Sequence, residues 1–204
     1  MKLTMNDVLA IRAVATCCDA SRKSPRPILQ TVRIQPSDKG VTYVATDSYA
    51  LAWIHRESVD KPAAEIVVPQ EIIKALAAVK GFADPNAVCA ELVPDADGEF
   101  VSLTWDGNVV RAFANIGDFP QWRELVPDYK NLPVEQSGGF AVALAPRLLA
   151  RLNAAADVLY GKGKHSQVGA RLRIVDKIKP VLWTFDSDVG EFSLLQMPVK
   201  VMPS

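Results

Sequence analysis

Three times along this chain a short β-prone run leads into a helix with one apolar face, and three further β-prone runs follow. An order that recurs without the letters recurring constrains the fold strongly, because each pass must supply strands for its own helix to lie on. In the first pass, Lys2–Met5 reads as a strand and Asn6 as the N-cap of a helix over Asp7–Asp19. Val8, Ile11, Ala15 and Cys18 form its apolar stripe at spacings of three and four. Strands are predicted at Ile28–Gln35, Val41–Thr46 and Tyr49–Arg56, with turns at Pro36–Gly40 and Asp47-Ser48. The second pass has a strand at Glu65–Val68, Pro69 at a helix start, and a helix over Glu71–Lys80 with Ile72, Ile73, Leu76 and Val79 on one face. Its strands are Ala87–Val93, Phe100–Trp105 and Val109–Asn115, the last two joined by a hairpin turn at Asp106-Gly107. The third pass has a strand at Phe140–Leu144 and a helix from Pro146 to Tyr160, striped by Leu148, Leu152, Ala155 and Leu159. Strands at Ala170–Val175, Val181–Phe185 and Phe192–Val201 close it, after a Lys- and Gly-rich loop over Gly161–Gly169 that reads as mobile. The fold class implied is α+β, with helices on one side of antiparallel sheets.

Between the second and third passes lies Gly117–Pro127, Gly-Asp-Phe-Pro-Gln-Trp-Arg-Glu-Leu-Val-Pro. Pro120 and Pro127 keep any helix or central strand from running through it. Phe119, Trp122, Leu125 and Val126 nevertheless carry too much apolar surface for a passive linker, so it reads as a connector pinned between packed bodies.

Charge and cysteines narrow the function classes. Twenty-three Lys and Arg balance twenty-three Asp and Glu, which excludes a uniformly basic nucleic-acid binder but not a local basic surface. Cys17, Cys18 and Cys89 have no metal-ligand spacing and read as reduced thiols of the cytosol. No apolar run has the length of a signal peptide or a membrane span, so a cytoplasmic protein is expected.

Five short stretches, in order, resemble the bacterial beta sliding clamps of DNA polymerase III. Arg26-Pro27-Ile28-Leu29 is similar to the Arg-Pro-Ile-Leu after the first helix of a clamp domain. Ala45-Thr46-Asp47-Ser48-Tyr49-Ala50-Leu51-Ala52 resembles the family's Ala-Thr-Asp-Gly-x-x-Leu-Ala, and Val67-Val68-Pro69 stands before a helix as it does there. Gly117–Pro127 is similar to the connector Gly-x-Phe-Pro-x-aromatic-Arg, and Met197-Pro198-Val199-Lys200-Val201 to the Met-Pro-Met-Arg-Leu terminus. The resemblance implies the DNA clamp fold with three βαβββ half-domains: a complete domain over 1–117 (halves 1–62 and 63–117), a connector over 118–137, and one half-domain over 138–204. Bacterial clamps close as dimers of three-domain chains and their archaeal and eukaryotic counterparts as trimers of two-domain chains. Both rings hold twelve half-domains, so three per chain implies a tetramer. Because successive half-domains are flipped, an odd number per chain implies dihedral symmetry, with third half-domains pairing at one interface and first half-domains at another.

A clamp performs no covalent chemistry. The resemblance implies a processivity factor that encircles double-stranded DNA without reading sequence and tethers a polymerase; polymerase and clamp loader would bind through short linear motifs. Phosphate contact is expected from Arg22 and Lys23 after the first helix, with Arg26 of the same loop a further candidate, and from Arg147 and Arg151 opposite the leucine stripe of the third. Arg12, Lys74, Lys162 and Lys164, with His165, are further candidates; a solvated helix face would explain the same charges. The partner-peptide pocket carries over to Thr46, Leu51, Pro120, Leu125, Leu195 and Met197, with Pro198 beside them. Core residues near a domain junction would show the same composition. Tyr49-Ala50 stands where the family has His-Arg or similar, and Glu124 where it often has a basic residue, so peptide preference is expected to differ.

An enzyme is not expected. The sequence has no phosphate-binding Gly loop, no Gly-x-Ser-x-Gly and no His-rich metal set, only His55 and His165 as imidazoles, and no cofactor is implied. Asp47 reads as a turn cap, and Asp186 with Asp188 as a surface turn. The rival class is a clamp-derived interaction module that binds or blocks a clamp, loader or polymerase without closing a ring. So compact a chain suits a phage or mobile element.

Overall fold

The computed structural model describes residues 1–21, 24–57, 60–81, 84–114, 117–127, 144, 146–165, 168–174 and 179–198, with the side chains of 146–148 excepted. The predicted strand at Phe140–Leu144, the chain beyond 198 and the cations Arg22 and Lys23 lie largely or wholly outside these residues, as does the Arg147 side chain.

Strand β1 (Lys2–Thr4) leads into helix α1 (Met5–Val14). The N-cap is Thr4, two residues earlier than Asn6: its hydroxyl accepts from the Asp7 amide while the Asp7 carboxylate accepts from the Thr4 amide, a capping box. The helix ends in a 3₁₀ turn over Ala15–Cys17, and a second 3₁₀ turn over Pro27–Gln30 replaces the first part of the predicted strand. Pro27 has no N–H to give a sheet and its fixed φ suits the first position of a helical turn. Strands β2 (Val32–Ser37), β3 (Gly40–Thr46), β4 (Ala50–Arg56) and β5 (Ile66–Val68) follow, then helix α2 (Gln70–Ala75), shorter than expected. Strands β6 (Val88–Pro94), β7 (Phe100–Trp105) and β8 (Asn108–Phe113) complete the second unit. Helix α3 (Pro146–Tyr160) opens the described part of the third, followed by β9 (Arg171–Ile174), β10 (Val181–Phe185) and β11 (Phe192–Gln196).

The strands form two antiparallel sheets, ordered β1-β6-β7-β8 and β5-β2-β3-β4-β11-β10-β9. The first two units exchange their opening strands, since β1 pairs with β6 and β5 with β2. The third unit then joins the first: β11 lies antiparallel on β4, with Phe192 opposite Ile54 and Gln196 opposite Ala50. The first unit therefore sits in the middle, both of its sheet edges taken within the chain. Among the described residues its outer strands in that sheet, β2 and β4, are covered by β5 and β11 of the same chain rather than by another copy, which overturns the expectation that first half-domains pair between chains.

Helices α1 and α3 pack against each other, and both carry buried alanines (Ala10 and Ala13; Ala155 and Ala156). The main core gathers Val8, Ile11, Tyr43, Ile54, Phe185 and Phe192 among others. Within it, Asp7 accepts from the Tyr43 hydroxyl (2.5 Å) and pairs with Arg56. Burial, and then the Asp7 charge, push the Tyr43 pKa well above its ordinary value, so this phenol stays a donor. Among the described residues no helix is long and apolar enough to cross a membrane.

Candidate functional site

The joint between β4 and β11 creates a surface that neither unit has alone. Pairing sets Thr46 opposite Leu51, Leu51 opposite Leu195 and Leu195 opposite Leu182, an apolar row running across the joint. This row faces away from α1 and α3, since Tyr43, Ile54 and Phe192 point to the helices from the alternate positions. The connector crosses this outer face, and Phe119, Trp122 and Val126 pack with Val44, Leu51, Trp53, Leu182 and Leu195 in a second, smaller core.

Side chains of β2 and β4 hold the connector down. Trp122 is buried, its ring 5.5 Å from Trp53, and its indole N–H donates to Gln35 Oε1 at 3.1 Å. Arg33 Nη2 donates to the Gly117 carbonyl at 3.2 Å and its guanidinium lies 5.4 Å from the Phe119 ring centre. Glu65 meets both Arg33 Nη1 and Gln35 Nε2 at 2.5 Å, fixing the two side chains that grip the connector. Burial pulls the Arg33 pKa down and the Glu65 charge works against that shift.

Between the connector and the joint lies an apolar cavity of about 360 Å³, lined by Thr46, Leu51, Pro120, Leu125, Leu195 and Met197. These are six of the seven residues assigned to a peptide pocket from sequence; Pro198 is half-buried next to Met197 but outside the lining. Ser48, Tyr49, Ala50, Pro180 and Arg26 also line it, and none of them was among the expected walls. The first three belong to the Ala45–Ala52 stretch and could have been read from it; Pro180 has no sequence signal that places it here. Tyr49, Leu125 and Met197, large apolar side chains with 57%, 56% and 43% of their surface exposed, come together at this one place. Apolar groups clustered in a concavity, unlike the same groups scattered, mark a surface suited to an apolar ligand.

Asp47 secures the turn below the cavity. Its Oδ1 accepts from the amides of Tyr49 and Ala50, both at 2.9 Å, as a turn cap does. Its Oδ2 receives Arg151 Nη2 of α3 at 2.5 Å. Arg151 is therefore turned inward, next to buried Cys17, with Nη1 lacking a hydrogen-bond partner among the described residues. Burial pulls its pKa down, but the Asp47 hydrogen bond and the neighbouring Cys17 and Asp47 charges raise it overall. The expectation that Arg151 projects freely opposite the leucine stripe is corrected: an uncompensated buried carboxylate at the turn would be costly, and Arg151 compensates it.

The other cations are dispersed. Arg26 is exposed and lines the apolar cavity rather than joining a basic cluster. Arg12 lies half-buried on the last turn of α1, and Lys74 is exposed on α2 with Nζ donating to Gln70 Oε1 at 3.1 Å. Lys162 and Lys164 are exposed in the loop after α3. That loop is fastened by Asp157, whose Oδ1 accepts the Gly163 amide at 3.0 Å and meets His165 Nε2 at 2.9 Å. Asp186 is engaged by Arg171, which has Glu191 as its second partner. Burial pushes the Cys17 thiol up to about 12 and raises Cys18 and Cys89 as well, so none of the three is poised as a nucleophile.

No protein-family model matches the sequence, and no curated protein does. Solved structures match it closely in shape. The DNA polymerase sliding clamp of Bacillus subtilis superposes with a TM-score of 0.71 at 14% identity, covering 99% of this chain and 64% of that one. The sliding clamp of Pseudomonas aeruginosa gives 0.72 at 12% identity, covering 98% and 66%. The Caulobacter crescentus pol III beta structure gives 0.67 at 14%, covering 98% and 66%. The chain thus spans about two thirds of the length of the clamps it matches. Nearly every residue of this chain takes part in that superposition, and on that ground the protein has the fold of the bacterial DNA polymerase sliding clamps.

Proposed function

We propose that this protein is a DNA sliding clamp: copies of the chain close around duplex DNA and hold a polymerase there through the cavity at the β4–β11 joint. The observation that carries the reading is that cavity. The fold alone would be compatible with any clamp-derived module, but here six residues from three distant stretches converge on one apolar concavity beneath an anchored connector. Its aliphatic and Met-containing walls suit an extended peptide with Leu and Phe side chains as anchors. Arg26 at the lining adds a cation that favours an acidic residue in that peptide. Polymerase and clamp loader are the partners this reading assigns.

Contact with DNA is assigned to the phosphates, through Arg12, Lys74, Lys162 and Lys164 together with Arg22, Lys23 and Arg147. A chain of zero net charge suits a contact that slides rather than grips. Four copies supply twelve half-domains, and a closed ring of four follows.

The decisive experiment is retention on closed circular DNA compared with the same DNA linearised. A topological clamp stays on the circle and runs off the line, with loss on linearisation persisting at salt that abolishes ordinary phosphate binding. Equal retention on both would leave a clamp-derived interaction module as the better description. The pocket is tested separately by fluorescence polarisation with a Leu/Phe-anchored peptide. Leu125→Asp, at a position already exposed, should weaken binding by roughly tenfold or more without altering thermal unfolding.

A further inference from the structure

We infer that β8 is a copy-to-copy interface, on which β8 of a second copy of this chain pairs antiparallel about a two-fold axis. This rests on the ring reading only for the number of copies, and otherwise on the strand edges themselves.

Among the described residues the two sheets end in four edges: β1 and β8 on one, β5 and β9 on the other. Natural sheets protect open edges by making them short or charged. Strands β1 and β5 are three residues each, and β9 is four residues with two arginines, Arg171 and Arg173. Strand β8 is six residues long, Asn-Val-Val-Arg-Ala-Phe, with no proline. Its one charge, Arg111, is drawn back onto its own sheet, 3.3 Å from Asp95 and 4.3 Å from the Phe100 ring centre. Flanking it on the same face are Val109 and Phe113, 64% and 47% exposed. This is the longest and least protected edge among the described residues.

The occupant follows from how the same chain covers the equivalent edge. Each unit ends in a last strand: β4, β8 and β11. The last strands of the first and third units cover each other, antiparallel over five residue pairs. The last strand of the second unit is left over. In a second copy β4 and β11 are again taken by each other, so the last strand that remains available to β8 is the other copy's β8. An antiparallel pair of identical strands has a two-fold axis through its centre, which makes the contact isologous. Registers that set Arg111 against its own counterpart bring like charges face to face, so the axis passes at Val110 or Ala112. The contact thus differs from a head-to-tail joint, where β8 would meet a different segment of its neighbour.

Single substitutions Val109→Cys, Arg111→Cys and Phe113→Cys, each at an exposed position, test this in the full chain with a short bismaleimide at micromolar protein. Self-linking of a lone introduced cysteine to its own copy requires an isologous contact. The expected product is a covalent species at twice the 22.2 kDa chain mass, dominant over the wild-type background, with the introduced site linked to itself in peptide mapping. Monomer from all three variants, or links from residues 109–113 only to another segment, would overturn the inference. As a second measurement, Val109→Lys with Phe113→Lys should halve the native mass while thermal unfolding stays unchanged; an unchanged mass would count against it. Failure here is distinguishable from failure of the clamp reading. Circular-DNA retention without self-links points to a ring closed head-to-tail and overturns only the β8 pairing. Self-links without retention uphold the β8 pairing and sink the clamp.

Discussion

The two sheets of this protein share a construction and differ in what covers them. In the seven-stranded sheet every residue of β3 and of β11 is buried, with helices on one face and the connector on the other. In the four-stranded sheet β8 alternates, and Val109, Arg111 and Phe113 look outward on a face that none of the described elements covers. The sequences already differ accordingly: β3, Gly-Val-Thr-Tyr-Val-Ala-Thr, is nearly continuous in apolar and small residues, whereas β8 carries an arginine mid-strand. A sheet with one covered face needs only its helix. A sheet with two covered faces can hold a cavity between its strands and the second cover, and here it does.

The sharpest way to break the comparison is to remove the cover. Trp122→Ala should destabilise by about 3–5 kcal/mol, since it deletes a buried indole together with its hydrogen bond to Gln35. Val109→Ala on the open sheet should stay within about 0.5 kcal/mol, and equal Tm shifts for the two would refute the contrast. Next in size is Asp47→Ala, which removes a turn cap and strands the Arg151 guanidinium. A loss of about 3 kcal/mol is expected, and chemical denaturation of the single variant against Asp47→Ala/Arg151→Met should show the double change recovering part of it. Gly190 tests the joint directly. Its φ is +137° and an added Cβ would lie 2.9 Å from the His55 carbonyl oxygen on β4, so Gly190→Ala should cost about 1–3 kcal/mol in urea unfolding. The smallest effect has the opposite sign. Ser48 holds φ +79° in the β3–β4 turn, the place where the clamp pattern has glycine. Ser48→Gly should raise stability by about 0.5–1 kcal/mol, read as a higher unfolding midpoint; a lower one would show that the serine contributes something the backbone conformation does not explain.

Local structure was legible to a high degree. Helix α3 and strands β7 and β10 have the bounds their periodicity predicts. The start of α1 was misplaced although its signal is in the sequence: Thr4-x-x-Asp7 is a capping box, and Asn6 two residues on is only a competing cap residue. The predicted strand starts too early at Ile28, because Pro27 commits the chain to a helical turn over Pro27–Gln30. For the cavity, Thr46, Leu51, Pro120, Leu125, Leu195 and Met197 were available from family resemblance, while Arg26 was assigned to DNA and Pro180 to nothing. Arg151 shows the limit most clearly. Its place on the polar side of a leucine-striped helix is periodic and readable, but its partner, Asp47, lies 104 residues away.

By itself the sequence determined the three strand–helix–strand passes, the connector and its apolar load, because periodicity, proline and capping act over a few neighbouring residues. Which unit sits in the middle was decided only in the tertiary structure. Strands β4, β8 and β11 are all edges with hydrogen-bonding groups to satisfy, and nothing in their composition says which two of them meet. The pairing of β4 with β11 satisfies those groups between strands more than a hundred residues apart, and by doing so it makes the cavity and leaves β8 open.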